Sequence, residues 1–370
     1  MNGNGNSEER MSDWNIKSIT PMPKRSDLKS EIPLPLEVFN RVVKPARKGV
    51  CDILAGEDDR LIANVGPCSI SSVLEALEYA HLLKGLIPKV PKLLVIMRAC
   101  LDKPRTGVGW PGFFLDPDLD GSKNAHHGRQ RGRKLLVDIV SMGVPVGLEL
   151  LDANACQVVD ECAAYWWIGA RTVTSQRLRE IASGLSTAVG FKNPTDGNIA
   201  DAVEACDVAR HEAAFIAMNH ADIECLYRTR GNTFVHVIMR GSVKGPNFDP
   251  ESVAQVVHML AKRGLPTRIL VDSSHANSVD PSNPGSGKDY RRQKDVIEDV
   301  VDRVIAGERH LAGFFYESYL EGGNQKIPLD LSELKPRVSI TDGCDDWKTT
   351  EQTLFHINDK LSCFKPSPER

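Results

Sequence analysis

The sequence of 370 residues lacks a long apolar run, an excess of either charge and any pair of cysteines with C-x-x-C spacing. No run approaches the roughly 18–20 apolar residues that cross a membrane, so a membrane protein is not expected. The 46 Lys and Arg residues are balanced by 49 Asp and Glu residues, which gives a net charge of −3. Proteins that bind nucleic acid or a membrane surface usually carry excess Lys and Arg, so neither partner is expected.

The first fifteen residues are polar and acidic, with Glu8, Glu9 and Asp13 and no apolar core. This composition is unlike that of a signal peptide or a transit peptide. The chain has nine cysteines, and an odd number without a secretion signal is typical of reduced thiols. We therefore expect a cytoplasmic protein.

The segment before residue 61 divides into three parts by composition. Residues 1–12 are rich in Asn, Gly, Ser and Glu, which predicts disorder. From Ser18 to Pro35, prolines alternate with charged residues, which predicts an extended arm and no helix. Leu36–Ala55 has helical periodicity that ends near Gly56. The expected organisation is a flexible arm over 1–31, a helical extension over 32–60, a main domain over 61–358 and a tail over 359–370.

Eight short apolar runs follow one another along the rest of the chain. They are Leu61–Val65, Leu93–Met97, Val144–Leu150, Trp166–Ala170, Ala188–Phe191, Val235–Met239, Ile269–Val271 and Leu311–Tyr316. Helical periodicity lies between most of them, at Ser72–Leu86, Arg131–Met142, Ala155–Ala164, Ile199–His211, Pro250–Arg263 and Lys294–Ala306. This alternation predicts parallel strands buried on both faces. Eight strands fit an α/β fold of the closed (β/α)8, or TIM, barrel type, and a doubly wound sheet is the competing fold.

Two segments depart from this alternation. Phe215–Met218 and Cys225–Arg228 are apolar runs without a helix between them, which predicts a β-hairpin inserted at about residues 213–229. Asn277–Lys288 is rich in Pro, Gly and Ser, which predicts a flexible loop.

Cationic residues follow most of the predicted strands, where the chemistry of such a barrel collects. They are Arg98, Lys103, Arg105, Arg171, Lys192 and Arg240. Six cations around one barrel mouth would repel one another unless anions bind there, and guanidinium groups suit phosphate and carboxylate oxygens. The pattern predicts one or two substrates with several negative charges. The alternative is that each cation pairs with a carboxylate on the rim.

A second set of residues near strand ends combines a thiol, an imidazole and two carboxylates: Cys68, His275, Glu317 and Asp342. Together these groups could hold a divalent transition metal. Each also has an ordinary structural explanation, because a lone Cys beside an apolar run is usually buried as a small apolar side chain. Spacing alone leaves both interpretations open.

A series of motifs, in order from about Ile32 to Leu354, resembles type I 3-deoxy-D-arabino-heptulosonate 7-phosphate (DAHP) synthases of the microbial form found in bacteria and fungi. The motifs include GPCSI (66–70), KPRT (103–106), IGART (168–172), RG-x-x-KGPNFD (240–249), D-x-SH-x-NS (272–278), EGGNQ (321–325) and SITD (339–342). The resemblance implies a metal-dependent barrel that condenses phosphoenolpyruvate with erythrose 4-phosphate, giving DAHP and phosphate. That reaction opens the shikimate pathway to the aromatic amino acids.

The resemblance also assigns expected roles to residues. The family's metal ligands match Cys68, His275, Glu317 and Asp342, for one divalent ion (Mn, Fe, Co or Zn) per subunit. Its phosphoenolpyruvate contacts match Arg98, Lys103, Arg171, Lys192 and Arg240. Its sugar-phosphate contacts match Pro104, Arg105 and Thr106, beside Lys103. The expected catalytic groups are Lys103, Cys68 and His275, and a homodimer or homotetramer is expected.

Several positions depart from the family's pattern without removing an expected ligand. Cys100, Leu101 and Asp102 replace an aromatic pair and a Glu, and Trp166 and Trp167 replace small residues. Three further departures are Pro111, Thr174 and Pro194. These differences leave two alternatives to the main prediction: a divergent paralogue of secondary metabolism that uses another aldose phosphate, and a catalytically silent regulatory barrel.

Regulation is also expected to differ. The family's inhibitor site for Phe, Tyr or Trp is built from the arm, the hairpin and nearby helix starts. The usual Pro-Gln before one of those helices is Cys156-Gln157 here, so we expect altered or absent feedback inhibition.

Overall fold

The computed structural model describes residues 11–219, 221–283, 285 and 287–363. The predictions for residues 1–10, and for the tail from residue 364 onward, lie outside the described residues. Twelve strands are described. In chain order they are β1 (Leu61–Gly66), β2 (Leu93–Arg98), β3 (Val146–Glu149), β4 (Ala163–Ile168), β5 (Val189–Lys192), β6 (Ala214–Met218), β7 (Glu224–Arg228), β8 (Val235–Met239), β9 (Ile269–Asp272), β10 (Leu311–Glu317), β11 (Glu321–Asn324) and β12 (Val338–Ser339).

Eight of these strands close into a parallel barrel. Strands β1 to β5 pair in sequence, β5 pairs with β8, and β10 completes the circle by pairing with β1. The predicted (β/α)8 barrel is therefore confirmed, and a doubly wound open sheet is excluded. Each barrel strand contains one of the predicted apolar runs or most of it. The runs are almost continuously apolar because one face of each strand points into the barrel and the other is covered by helices.

In the described part of the chain, eleven α-helices surround or precede the barrel. They are α1 (Arg25–Glu31), α2 (Leu36–Val38), α3 (Lys44–Ala55), α4 (Val73–Leu86), α5 (Ala125–Ser141), α6 (Ala153–Val159), α7 (Gln176–Ala182), α8 (Ile199–Arg210), α9 (Pro250–Lys262), α10 (Gln293–Ile305) and α11 (Trp347–Cys363). The predicted helix over Ala155–Ala164 was too long, because Ala163 and Ala164 begin β4. The short helix α7 was not predicted. Within the described residues, no helix is long and apolar enough to span a membrane.

The predicted extended arm is wrong for residues 25–31, which form α1. The prolines at 23 and 33 flank this segment without interrupting it, and Leu28 is buried. The first turn is held by the tip of the inserted hairpin, where the Asp222 carboxylate accepts hydrogen bonds from the Arg25 backbone N–H and the Ser26 hydroxyl. A side chain almost 200 residues away in sequence thus stabilises this helix, which is why local composition failed to predict it.

The helical extension and the hairpin form where they were predicted. Helix α2 runs through a π-helical turn at Phe39–Val43 into α3, which ends at Gly56 with a left-handed φ of 80°. Val50, Ile53 and Leu54 of α3 pack into the barrel's interior cluster. Strands β6 and β7 pair antiparallel as the inserted hairpin.

The predicted boundary between residues 358 and 359 lies inside a helix. Helix α11 continues to Cys363, and its buried Leu354, Ile357 and Leu361 recur at helical spacing. The helix is therefore anchored by an apolar face that extends beyond the predicted end of the domain.

Candidate active site

The carboxyl ends of the barrel strands surround a polar cavity of about 270 Å³. Eleven of the twelve residues predicted from the sequence line it: Arg98, Lys103, Pro104, Arg105, Thr106, Arg171, Lys192, Arg240, His275, Glu317 and Asp342. The twelfth, Cys68, is fully buried, and its Sγ lies 2.8 Å from the Lys103 ammonium. Closure of the barrel brings these residues together from positions spread over most of the chain.

Three of the predicted metal ligands form one compact group. A sulfur of Cys68 and carboxylate oxygens of Glu317 and Asp342 all lie within 4.8 Å of one another. His275 Nε2 lies 3.9 Å from both Glu317 Oε1 and Asp342 Oδ2. Sulfur, nitrogen and carboxylate oxygen at this spacing are a donor set that suits a divalent transition metal.

The imidazole of His275 is oriented through the contacts of its Nδ1 atom. Nδ1 lies 2.9 Å from Asp272 Oδ2 and 2.6 Å from the Ser274 hydroxyl. An Nδ1–H donated to Asp272 leaves the Nε2 lone pair facing Glu317 and Asp342, which is the tautomer that a metal ligand needs. The backbone of His275 has a left-handed φ of 58°, an uncommon conformation for a residue other than glycine.

The charges of this group depend on one another. Burial raises the pKa of the Cys68 thiol to about 11, and the adjacent Lys103 ammonium opposes that rise because it stabilises the thiolate. Burial alone would also raise the pKa of Glu317, but His275 and Arg98 hold it below its ordinary value. A bound cation would further favour the thiolate, which is the form of cysteine that ligates metals.

Arg98 is almost completely buried, with 2% of its surface exposed. Its Nη2 lies 2.9 Å from Glu317 Oε1. Within the described part of the chain, its buried Nε and Nη1 have no hydrogen-bond partner. Unpaired buried N–H groups are costly, so this guanidinium is suited to bind an oxyanion from the cavity.

The other cations of the cavity are only partly neutralised. Lys192 Nζ lies 2.6 Å from the buried Asp272 carboxylate. Among the described residues, no carboxylate lies within ion-pair distance of Arg105, Arg171 or Arg240. Burial lowers the pKa of Arg240, and the nearby Arg171 adds to that effect. Ion pairs with carboxylates therefore neutralise some of the predicted cations. The remaining positive charge is available to bind an anionic ligand.

The KPRT loop is joined to the neighbouring wall of the cavity. Arg171 Nε donates a 2.7 Å hydrogen bond to Thr106 Oγ1. The base of the loop is fixed by the Lys103 backbone N–H, which donates to the Pro111 carbonyl over 2.9 Å. The loop is therefore held at the cavity beside Arg171, which follows strand β4.

Three residues of the site were not among the predicted ones. Asp272 joins Lys192 to His275, and Lys288 Nζ lies 2.9 Å from Asp342 Oδ2. Glu149 lies at the end of β3 and lines the cavity, where a side chain on Gly169 would collide with its carboxylate. Asp272 and Glu149 both end barrel strands, and that position is the signal by which the sequence could have identified them.

Known proteins resemble this chain over almost its whole length. Residues 31–354 match the model of the DAHP synthetase I family. The Tyr-sensitive phospho-2-dehydro-3-deoxyheptonate aldolase of Escherichia coli K12 is 42% identical over 336 residues, which cover 90% of this chain and 92% of that protein. The phenylalanine-inhibited aldolase of the same name from Saccharomyces cerevisiae is 38% identical over 360 residues, 95% of each chain. A solved phospho-2-dehydro-3-deoxyheptonate aldolase from Francisella tularensis SCHU S4 superposes with a TM-score of 0.89 at 36% identity, covering 95% of this chain and 100% of that one.

Proposed function

The chain belongs to the DAHP synthetase I family, and we propose that the cavity at its barrel mouth binds both substrates of the family's reaction. The protein is an enzyme, a transferase that condenses phosphoenolpyruvate with erythrose 4-phosphate to give DAHP and phosphate, in aromatic amino acid biosynthesis. The observation that supports this use of the cavity is its incompletely neutralised positive charge beside a Cys, Glu and Asp group. Two phosphates and one carboxylate are the charges that such a cavity would attract.

Phosphoenolpyruvate would lie deepest in the cavity. Arg98 and Lys103 would hold its carboxylate, and the two unpaired N–H groups of Arg98 support that role. Arg171, Lys192 and Arg240 would hold its phosphate and stabilise the charge that develops as phosphate leaves.

Erythrose 4-phosphate would bind nearer the rim. Pro104, Arg105 and Thr106 line the outer part of the cavity, and Arg105 has no carboxylate partner among the described residues. Its guanidinium would bind the sugar phosphate, while Thr106 would add a hydroxyl contact. This arrangement would present the aldehyde to C3 of phosphoenolpyruvate.

The family is metal-dependent, and Cys68, His275, Glu317 and Asp342 would hold one divalent ion, Mn, Fe, Co or Zn. Such an ion supplies Lewis-acid polarisation of the aldehyde oxygen when bound. Their sulfur, nitrogen and oxygen donors fit that group.

The chemistry itself is an aldol-type condensation. C3 of phosphoenolpyruvate attacks the aldehyde carbon, water adds at C2, and phosphate leaves. Lys103 would donate the proton to the new alkoxide. Despite burial, the neighbouring Cys68 and Glu317 raise the pKa of its ammonium, so the group carries a proton at neutral pH, and the alkoxide is a strong enough base to take it.

The enzyme would act as a homodimer or homotetramer in the cytoplasm. Exposed apolar side chains occur on the hairpin, including Ile216 and Leu226, and on the arm, including Trp14 and Ile19. A second copy could cover such a surface. All nine cysteines, which lie within the described residues, are free thiols, as expected in a reducing compartment.

The acceptor is tested by phosphate release from phosphoenolpyruvate with a panel of aldose phosphates and Mn²⁺. We expect erythrose 4-phosphate to give the highest kcat/KM. A clear preference for another aldose phosphate would favour the divergent paralogue, and no turnover with any of them would contradict the proposed function.

A further inference from the structure

The buried guanidinium of Arg98 lies over an aromatic pair inside the barrel. Its Cζ is 5.4 Å from the ring centroid of Trp167 and 5.6 Å from that of Phe315. Both aromatic side chains have no exposed surface. The two rings meet edge to face, with centroids 5.1 Å apart and planes at 89°. A guanidinium cation close to aromatic rings is a favourable contact, and the contact is strongest away from water.

The barrel makes specific room for Trp167. A Cβ added to Gly147 on the adjacent strand would lie 3.1 Å from Cζ3 of the indole. Cys100 packs in the same interior cluster as Trp167. Gly147 thus leaves room for the indole, and Cys100 and Trp167, which share one cluster, are both departures from the usual family pattern. The indole is therefore accommodated by its neighbours.

Arg98 needs this second contact because Glu317 holds only one edge of it. The Nη2 atom pairs with Glu317, which also belongs to the Cys, Glu and Asp group. A guanidinium tethered at one nitrogen can still rotate, and rotation would turn its free Nε and Nη1 away from an incoming carboxylate. The aromatic contact restricts that rotation before substrate arrives.

We propose that Trp167 is a positioning residue that packs against Arg98 and restricts the rotation of this guanidinium, so that its free N–H groups face the carboxylate of phosphoenolpyruvate. The inference rests on the proposed function, since it takes Arg98 as the carboxylate contact. Phe315 supports the same arrangement and also lies beneath Lys192, whose Nζ is 4.9 Å from the ring centroid. Phe315 therefore touches two cations, whereas Trp167 lies under Arg98 alone among the described cation–ring contacts.

The neighbouring Trp166 provides a matched control. It is also buried, with 2% exposure, but it belongs to the outer cluster that packs against the helices. Adjacent strand residues point to opposite faces, so Trp166 faces away from the barrel interior. A purely structural role for both tryptophans would make their replacement similar in effect.

The test is calorimetric titration of phosphoenolpyruvate, without the sugar phosphate, into wild type, Trp167→Leu, Trp167→Phe and Trp166→Leu. We expect Trp167→Leu to raise the dissociation constant about tenfold, from loss of a buried cation–ring contact. Trp167→Phe should retain part of the affinity, and Trp166→Leu should bind like wild type. In turnover, KM for phosphoenolpyruvate should rise in Trp167→Leu while KM for erythrose 4-phosphate stays unchanged.

Wild-type affinity in folded Trp167→Leu, or an equal loss in Trp166→Leu, would overturn the proposal. If Trp167→Leu does not fold, the comparison is between Trp167→Phe and Trp166→Leu, and equal affinities would again overturn it. Wild type that binds phosphoenolpyruvate but does not turn over with erythrose 4-phosphate contradicts the proposed function instead. The two failures are therefore distinguishable.

Discussion

At the scale of single residues, Asp272 connects the two halves of the active site. Its fully buried carboxylate lies 2.6 Å from Lys192 Nζ and 2.9 Å from His275 Nδ1. Although burial would raise its pKa, Lys192 and His275 hold the pKa of Asp272 well below its ordinary value. One anion thus orients a proposed phosphate contact and a proposed metal ligand, which ties the geometry of the two together.

Replacing Cys68 with Ala should remove metal binding and turnover. The side chain is fully buried and is the only thiol in the Cys, Glu and Asp group found among the described residues. Loss of groups that merely orient a metal ligand already weakens binding by 10–100-fold, so loss of the ligand itself should exceed about a hundredfold. Metal content after dialysis and kcat with Mn²⁺ measure this. Cys206→Ala, a fully buried thiol in α8, should keep both.

Asp102 should make stability depend on pH. Burial, with Asp152 and Glu149 nearby, raises the pKa of Asp102 to about 7. Between about pH 4 and pH 7, Asp102 is protonated in the folded protein but ionised in the unfolded chain. The free energy of unfolding therefore falls progressively as pH rises through this range. Asp102→Asn should be more stable than wild type by about 4 kcal/mol at pH 8.5, because the pKa of Asp102 lies about three units above its ordinary value, and by little at pH 4.

Urea unfolding at the two pH values measures the difference. The exposed Asp27→Asn is the control. A gain that is the same at both pH values would show that the carboxyl of Asp102 is not protonated in the folded protein.

At the scale of elements, the spacing of apolar residues predicted strands and helices better than local composition did. Strand β8 has the bounds that were predicted, Val235–Met239, because its apolar run is buried on both faces. Helix α1 was missed because its stability comes from Asp222 and from burial of Leu28, neither of which leaves a local pattern. Helix α7 is only seven residues long, too short for its periodicity to stand out.

Features of the hairpin and of α6 predict that feedback inhibition by aromatic amino acids is altered or absent. Cys156 is buried where the family usually has proline at this helix, and on the hairpin the ring of Phe215 stacks on Tyr227, with centroids 5.6 Å apart. We expected Cys156 and Gln157 to precede a helix, but Cys156 is the fourth residue of α6. A changed residue within α6 and a hairpin face that carries two stacked rings should disfavour an aromatic ligand. We expect no inhibition by micromolar Phe, Tyr or Trp in initial-rate assays. The Tyr-sensitive relative from E. coli is the positive control, and a micromolar midpoint for this chain would refute the expectation.

At the scale of the whole molecule, a net charge of −3 coexists with a cationic cavity. The sequence predicted which residues would reach the barrel mouth, because strand ends can be located from apolar runs. It did not predict that Arg98 pairs with Glu317 and packs against Trp167. Those contacts join β2, β4 and β10, and they depend on how side chains fill the closed barrel. The folded structure is therefore needed to identify side-chain contacts between strands that are distant in sequence.

The most direct test of the account measures consumption of phosphoenolpyruvate in metal-free and metal-restored enzyme, with erythrose 4-phosphate as acceptor. We predict no reaction after treatment with a chelator. After Mn²⁺ is added back, one DAHP and one phosphate should form for each phosphoenolpyruvate consumed. Full turnover in the chelated enzyme, or none in the Mn²⁺-restored enzyme, would contradict the assignment of this barrel mouth as a metal-dependent condensation site.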